Sequence, residues 1–178
     1  MKSKTVAISA ISAGFVAIIL TLGAYIEFAD VFMLAISSVF VLLPLYLNSY
    51  KGSVLAFIVG GVIAFLVSGF NILSIVFPAY FGFFGIFPIV QSFMEDKKVK
   101  KAIAHVIGLV WCVIAVYAIY LYYTFVMGAV LDGLPAWIIN NIWIIVGVVA
   151  VVFYFVFERF VRVTRRFTAF YLQRIIKK

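Results

Sequence analysis

Charge is scarce in this sequence. Asp, Glu, Lys and Arg make up 11% of its 178 residues, against roughly a quarter in ordinary soluble domains. With 67% hydrophobic residues and a mean hydropathy of +1.28, the chain has too little polar surface for a soluble globule. A single histidine, His105, excludes the two-histidine HExxH zinc arrangement. It would also have to serve any Ser–His pair, and no Gly-x-Ser-x-Gly elbow accompanies it. A single cysteine, Cys112, excludes an intrachain disulfide. No Walker-type phosphate loop occurs, so ATP would have to be used by another chain. Asp30, Asp96 and Asp132 all stand at the ends of apolar runs, which leaves no pair of aspartates inside a membrane. Enzymatic activity is not expected, and no cofactor or metal is expected in this chain.

What the sequence does hold is long apolar runs, with cations at alternate breaks. All 14 Lys and Arg residues fall at Lys2 and Lys4, at Lys51, between Lys97 and Lys101, or from Arg159 onward. Loops that stay in the cytoplasm retain Lys and Arg, so this pattern predicts both termini on the cytoplasmic side. An even number of spans is then required, and six fit, at about 20 residues each. They are expected over 5–26, 31–50, 53–70, 72–94, 102–131 and 135–157. The first run follows a basic leader but exceeds a signal-peptide core, so it reads as a retained helix. The fifth is long enough to require tilt or an outer loop. The fold class predicted is an all-α membrane protein with six transmembrane helices, in a bacterial cytoplasmic membrane. The net charge of +8 is a basic rim facing anionic membrane lipid rather than a nucleic-acid footprint.

Residues 1–157 form the membrane domain, and 158–178 have a different character. Phe160, Val163, Phe167, Phe170 and Tyr171 recur at three- and four-residue steps, opposite Arg159, Arg162 and Arg166. This pattern predicts a basic amphipathic helix lying in the cytoplasmic interface, as an electrostatic anchor or a docking surface. Small residues four apart mark close helix approaches: Ser9, Ala13 and Ala17 on the first span, and Ala56, Gly60, Ala64 and Ser68 on the third. The third-span seam fits internal packing. The first-span seam fits either internal packing or docking of a second membrane subunit. The fourth span carries Pro78, Gly82, Gly85 and Pro88, which predict a kink or break tolerated only inside protein or beside a cavity.

Polar and aromatic residues near the outer face are the candidate ligand-binding groups. Glu27 and Asp30 bracket the first outer turn, and Asp132 sits in the third. Asn140 and Asn141 lie just inside the sixth span, flanked by Trp137 and Trp143. A buried amide is unfavourable unless paired, which points to a specific partner for at least one of them. Tyr80 comes from the proline-rich span. Trp and Tyr also belong at membrane interfaces for their own sake, and acidic outer loops follow from the topology rule.

The six short spans, the cytoplasmic termini and the opening Lys-Ser-Lys-Thr-Val-Ala-Ile-Ser-Ala-Ile-Ser-Ala resemble the substrate-binding S components of energy-coupling factor (ECF) transporters. The stretches beginning at Asp30 and ending at Ile89 are also similar to small Firmicutes membrane proteins of the same layout. The resemblance to S components implies uptake of a vitamin-like small molecule through an outward-facing site. It carries Tyr80, Asp132, Trp137, Asn140 and Trp143 as ligand contacts, with Glu27 and Asp30 as lid residues. It implies that Ser9, Ala13 and Ala17 dock on a transmembrane T subunit, and that two cytoplasmic ATPase subunits use the ATP. No thiamin-, biotin- or cobalt-type signature is present, so the ligand stays open. The alternatives are a non-transporting membrane partner or regulator, and a lipid-handling protein that uses its basic inner rim.

Overall fold

The computed structural model describes residues 3–71, 73–126 and 135–176, and these are organised entirely as helices and turns. Six helices among them are long and apolar enough to cross a membrane. The chain therefore has the build of a multi-pass membrane protein.

Helices α1 (Ser3–Tyr25), α2 (Asp30–Leu42) and α3 (Tyr50–Val67) pack on one another. Small residues permit the approach. A methyl group on Gly60 would stand 2.6 Å from Val16 Cγ1 and 3.0 Å from the Ala13 carbonyl oxygen. One on Gly52 would stand 2.5 Å from Ser9 Oγ. These pairs advance together along the chain, so α1 and α3 run parallel while α2 returns against both. Beyond α2 the chain tightens into a 3₁₀ turn, Leu43–Leu47, around Pro44. Asn48 then takes a left-handed φ of 54°. Ser49 caps α3, its Oγ accepting the Gly52 N–H at 3.1 Å. The third span thus begins as helix at Tyr50, three residues before the start expected from the sequence.

Helix α3 ends in a left-handed pair, Gly69 at φ 72° and Phe70 at φ 57°. The Phe70 N–H returns to the Phe65 carbonyl at 3.0 Å and Gly69 N–H to Leu66 at 3.1 Å, the glycine-type helix stop. The fourth span begins later than the sequence suggests. It comprises α4 (Val76–Ala79), a π turn (Tyr80–Phe84) and α5 (Ile86–Asp96). This is the centre of the molecule: 67% of its apolar window is buried, against 17–39% for the other five.

Its irregular backbone finds partners within the protein. The Gly85 N–H reaches the Tyr80 carbonyl at 2.9 Å, the wide bond of the π turn. Pro88 has no N–H for the Phe84 carbonyl one turn back. That oxygen instead accepts the buried Ser38 hydroxyl at 2.6 Å. The Gly82 carbonyl accepts the Trp111 indole N–H at 2.9 Å. Irregular backbone survives at this depth because protein supplies the missing partners. Ser38→Ala should therefore strand the Phe84 carbonyl and lower stability by about 1–3 kcal/mol. Thermal unfolding in mild detergent checks this. Ser68→Ala, which loses only a bond to Phe65 within its own helix end, should shift the midpoint far less.

Helices α6 (Lys101–Val126) and α8 (Ile142–Ile176) pair antiparallel, with the short α7 (Ala136–Asn140) before α8. The register is fixed by His105 on Tyr154, Cys112 on the Ala150 carbonyl, and Tyr117 on the Trp143 carbonyl. Phe83, Phe84 and Phe87 of the fourth span pack their rings on Phe153 and Phe157 of α8. The sixth span and the basic tail are one helix: α8 passes Glu158 without a break and is 35 residues long. At 1.5 Å per residue it reaches about 52 Å, well beyond the ~30 Å apolar thickness of a bilayer.

Contacts also show where the charge lies. Tyr50 meets Asp96, and Arg165 bridges Glu95 and Asp96. The start of α3, the end of α5, the start of α6 and the distal part of α8 therefore share one end of the bundle, the cationic end.

Candidate functional site

Tyr80 lies at the molecular centre, fully buried, with its hydroxyl donating to the Phe57 carbonyl at 3.1 Å. It holds the fourth span to α3. Trp137 is 65% exposed and Trp143 52% exposed. Tyr117 stacks on Trp143 and donates its hydroxyl to that residue's carbonyl at 2.6 Å. Asn140 is exposed. Its neighbour Asn141 donates Nδ2 to the Trp137 carbonyl at 2.8 Å, within the same helical stretch. Glu27 belongs to a 3₁₀ turn, Glu27–Ala29, and Asp30 opens the first turn of α2. Asp132 lies outside the described residues. Tyr80, Trp137, Asn140 and Trp143 do not line the cavity found at the cationic end.

The first-span seam is also otherwise engaged. Ser9, Ala13 and Ala17 are buried, and the close approaches of Gly52 and Gly60 place Ser9 and Ala13 against α3. A partner subunit cannot reach this seam without displacing α3. Within this chain the seam serves internal packing. The physical reason is that the matching stripe of small residues lies on α3 of the same chain.

The concave feature that carries chemistry is at the cationic end. A cavity of about 730 Å³ opens between α5, the 97–100 turn, the start of α6 and the distal part of α8. Small-molecule sites run from ~300 to ~1,000 Å³. Its floor is buried and polar. Glu158, 6% exposed, accepts Gln91 Nε2 at 3.2 Å and pairs with Arg162 one turn along α8. Tyr154 and His105 complete the wall, with His105 Nδ1 and the Tyr154 hydroxyl 3.1 Å apart.

The rim is cationic. Lys98, Lys100, Lys101 and Arg166 border the cavity together with Arg162 and Arg165. Arg165 is committed to Glu95 at 2.5 Å and Asp96 at 2.7 Å. Among the described residues, no carboxylate stands within ion-pair distance of Lys98, Lys100, Lys101 or Arg166. Lys98 also adopts a left-handed φ of 55° to end α5. There its N–H and that of Val99 return to Glu95 and Met94, each at 3.0 Å. Glycine would take this conformation without penalty. A lysine holding it at the cavity wall is the kind of local strain found at working sites.

Gln91, Tyr154, His105 and Glu158 were not among the residues that stood out as site candidates in the sequence. A signal was present. Tyr154, Glu158 and Arg162 follow at steps of four, as do Gln91 and Glu95, so each set faces one way on its helix. In a chain this poor in polar groups, two such faces at the same end are informative. The neighbouring cations had already been explained by topology and drew attention away from them. Compared with protein-family models, with curated proteins and with solved structures, the chain has no match.

Proposed function

We propose that this chain is the ligand-binding subunit of a bacterial plasma-membrane assembly, with both termini cytoplasmic. Its site is the cavity at the cytoplasmic, cationic end, and its ligand is an anion. The carrying observation is that cavity, where four cations with no ion-pair partner among the described residues border a buried carboxylate already matched by Arg162. Cations at this density repel one another, and a bound anion relieves that repulsion. Of the roles weighed from sequence, the lipid-handling one is favoured by this geometry, because anionic headgroups lie at the same depth on the cytoplasmic face. The test is native mass spectrometry of protein extracted in mild detergent. Wild type should retain an anionic ligand, and Lys100→Glu with Lys101→Glu should lose it while staying folded. A ligand retained equally by both proteins overturns the reading.

A transport role of the S-component kind is supported by a separate observation, the π turn at Tyr80–Phe84 in the middle of the most buried span. Discontinuous helices of this sort border substrate sites in many transporters. A T subunit would then dock on a face other than Ser9, Ala13 and Ala17. Co-purification of a T subunit and ATPases with wild type would support it. Their absence from a gently solubilised complex counts against it.

A further inference from the structure

The cavity asks for two chemistries at once, and together they narrow the ligand. Its rim offers cations in the form of Lys98, Lys100, Lys101 and Arg166. Its floor asks for the opposite. Gln91 is 7% exposed and lines the cavity, and its Oε1 meets no hydrogen-bond donor among the described residues. The amide is oriented by its other atom: Nε2 donates to Glu158, so Oε1 is the end left over. A buried amide oxygen left unsatisfied is unfavourable. Glu158 beside it already accepts from Gln91 Nε2 and Arg162, so Oε1 is the acceptor left open on this part of the floor.

Resting on the reading of this cavity as an anion site, the geometry points to a phosphate ester that also carries a free hydroxyl, such as a glycerophosphate group. The phosphate sits among the rim lysines and Arg166, where charge-assisted bonds to its oxygens are strongest. The hydroxyl reaches inward and donates to Gln91 Oε1. An ammonium in place of the hydroxyl would meet Arg162, which already occupies the Glu158 carboxylate. The same chemistry is available from two sources, a phosphatidylglycerol headgroup in the membrane or free glycerol phosphate in the cytoplasm.

The experiment uses delipidated full-length protein in dodecyl maltoside, with binding read by native mass spectrometry and by thermal shift. In the lipid arm, phosphatidylglycerol is compared with phosphatidylmethanol, which has the same charge but no hydroxyl, and with phosphatidylethanolamine. In the soluble arm, glycerol 3-phosphate is compared with methyl phosphate. The hydroxylated member of the binding arm should be preferred about tenfold, the worth of one hydrogen bond to a buried acceptor. Whichever arm shows binding identifies the source. In Gln91→Met, similar in length but without the acceptor, the preference should fall within about twofold while binding of the hydroxyl-free probe persists. Should Gln91→Met fail to fold, the wild-type comparison decides alone. Equal binding of both probes, or preference for phosphatidylethanolamine, overturns this inference and leaves the anion site standing. Failure of every phosphate probe overturns the anion site itself.

Discussion

Arg162→Ala is expected to destabilise the protein by about 3 kcal/mol. Glu158 is almost wholly buried, and among the described residues only Arg162 and the neutral Gln91 amide donate to it. Removing the guanidinium leaves an uncompensated carboxylate in an apolar wall made by Phe87 and Tyr154. Breaking one half of a buried pair typically costs ~3–5 kcal/mol. The lower end applies because the Arg162 side chain is 40% exposed and its charge is partly screened. Unfolding by urea or heat in mild detergent measures the loss. The double variant Glu158→Gln with Arg162→Gln should recover most of it, since no charge is then stranded. If the single and double variants are equally destabilised, the pair contributes through packing alone.

Gly60→Val should be comparably damaging, by about 2–3 kcal/mol. The Cβ alone would come within 2.6 Å of Val16, and behind it lies the Ala13 carbonyl at 3.0 Å, which is backbone and cannot rotate away. Two further methyls would push α1 from α3. Lipid offers no hydrophobic penalty for that separation, so the contact depends on close packing alone. Gly14→Val is the control: a Cβ there meets nothing within 4 Å, and stability should change little. A similar loss in both variants, read by thermal unfolding, would mean that glycine acts at these sites through helix propensity rather than contact.

Architecture was legible in the sequence because lipid imposes it. Apolar run length and alternating cation clusters predict six spans, and six membrane-capable helices are present. The internal role of Ala56, Gly60 and Ala64 was equally readable, since small residues four apart have one main use in such helices. The proline-rich fourth span was read as irregular, yet its bonding partners were not predictable. Ser38 and Trp111 reach it from 46 and 29 residues away, and no local pattern encodes such pairings. The continuity of α8 was hidden by composition. The change from apolar to basic at Glu158 marks a change of surroundings and not of backbone. The site eluded sequence reasoning for a related reason. Trp137, Trp143 and Asn140 are conspicuous residue types, whereas Gln91 and Glu158 gain meaning only when α5 and α8 meet.

Hydrogen exchange of the detergent-solubilised protein, with and without phosphatidylglycerol, locates the ligand directly. Protection should concentrate in residues 87–105 and 154–166, the two stretches that enclose the cationic cavity, and leave 137–143 unchanged. Protection confined to 137–143, with none around Gln91 and Glu158, would place the ligand at the opposite end of the bundle and contradict a cytoplasmic anion site.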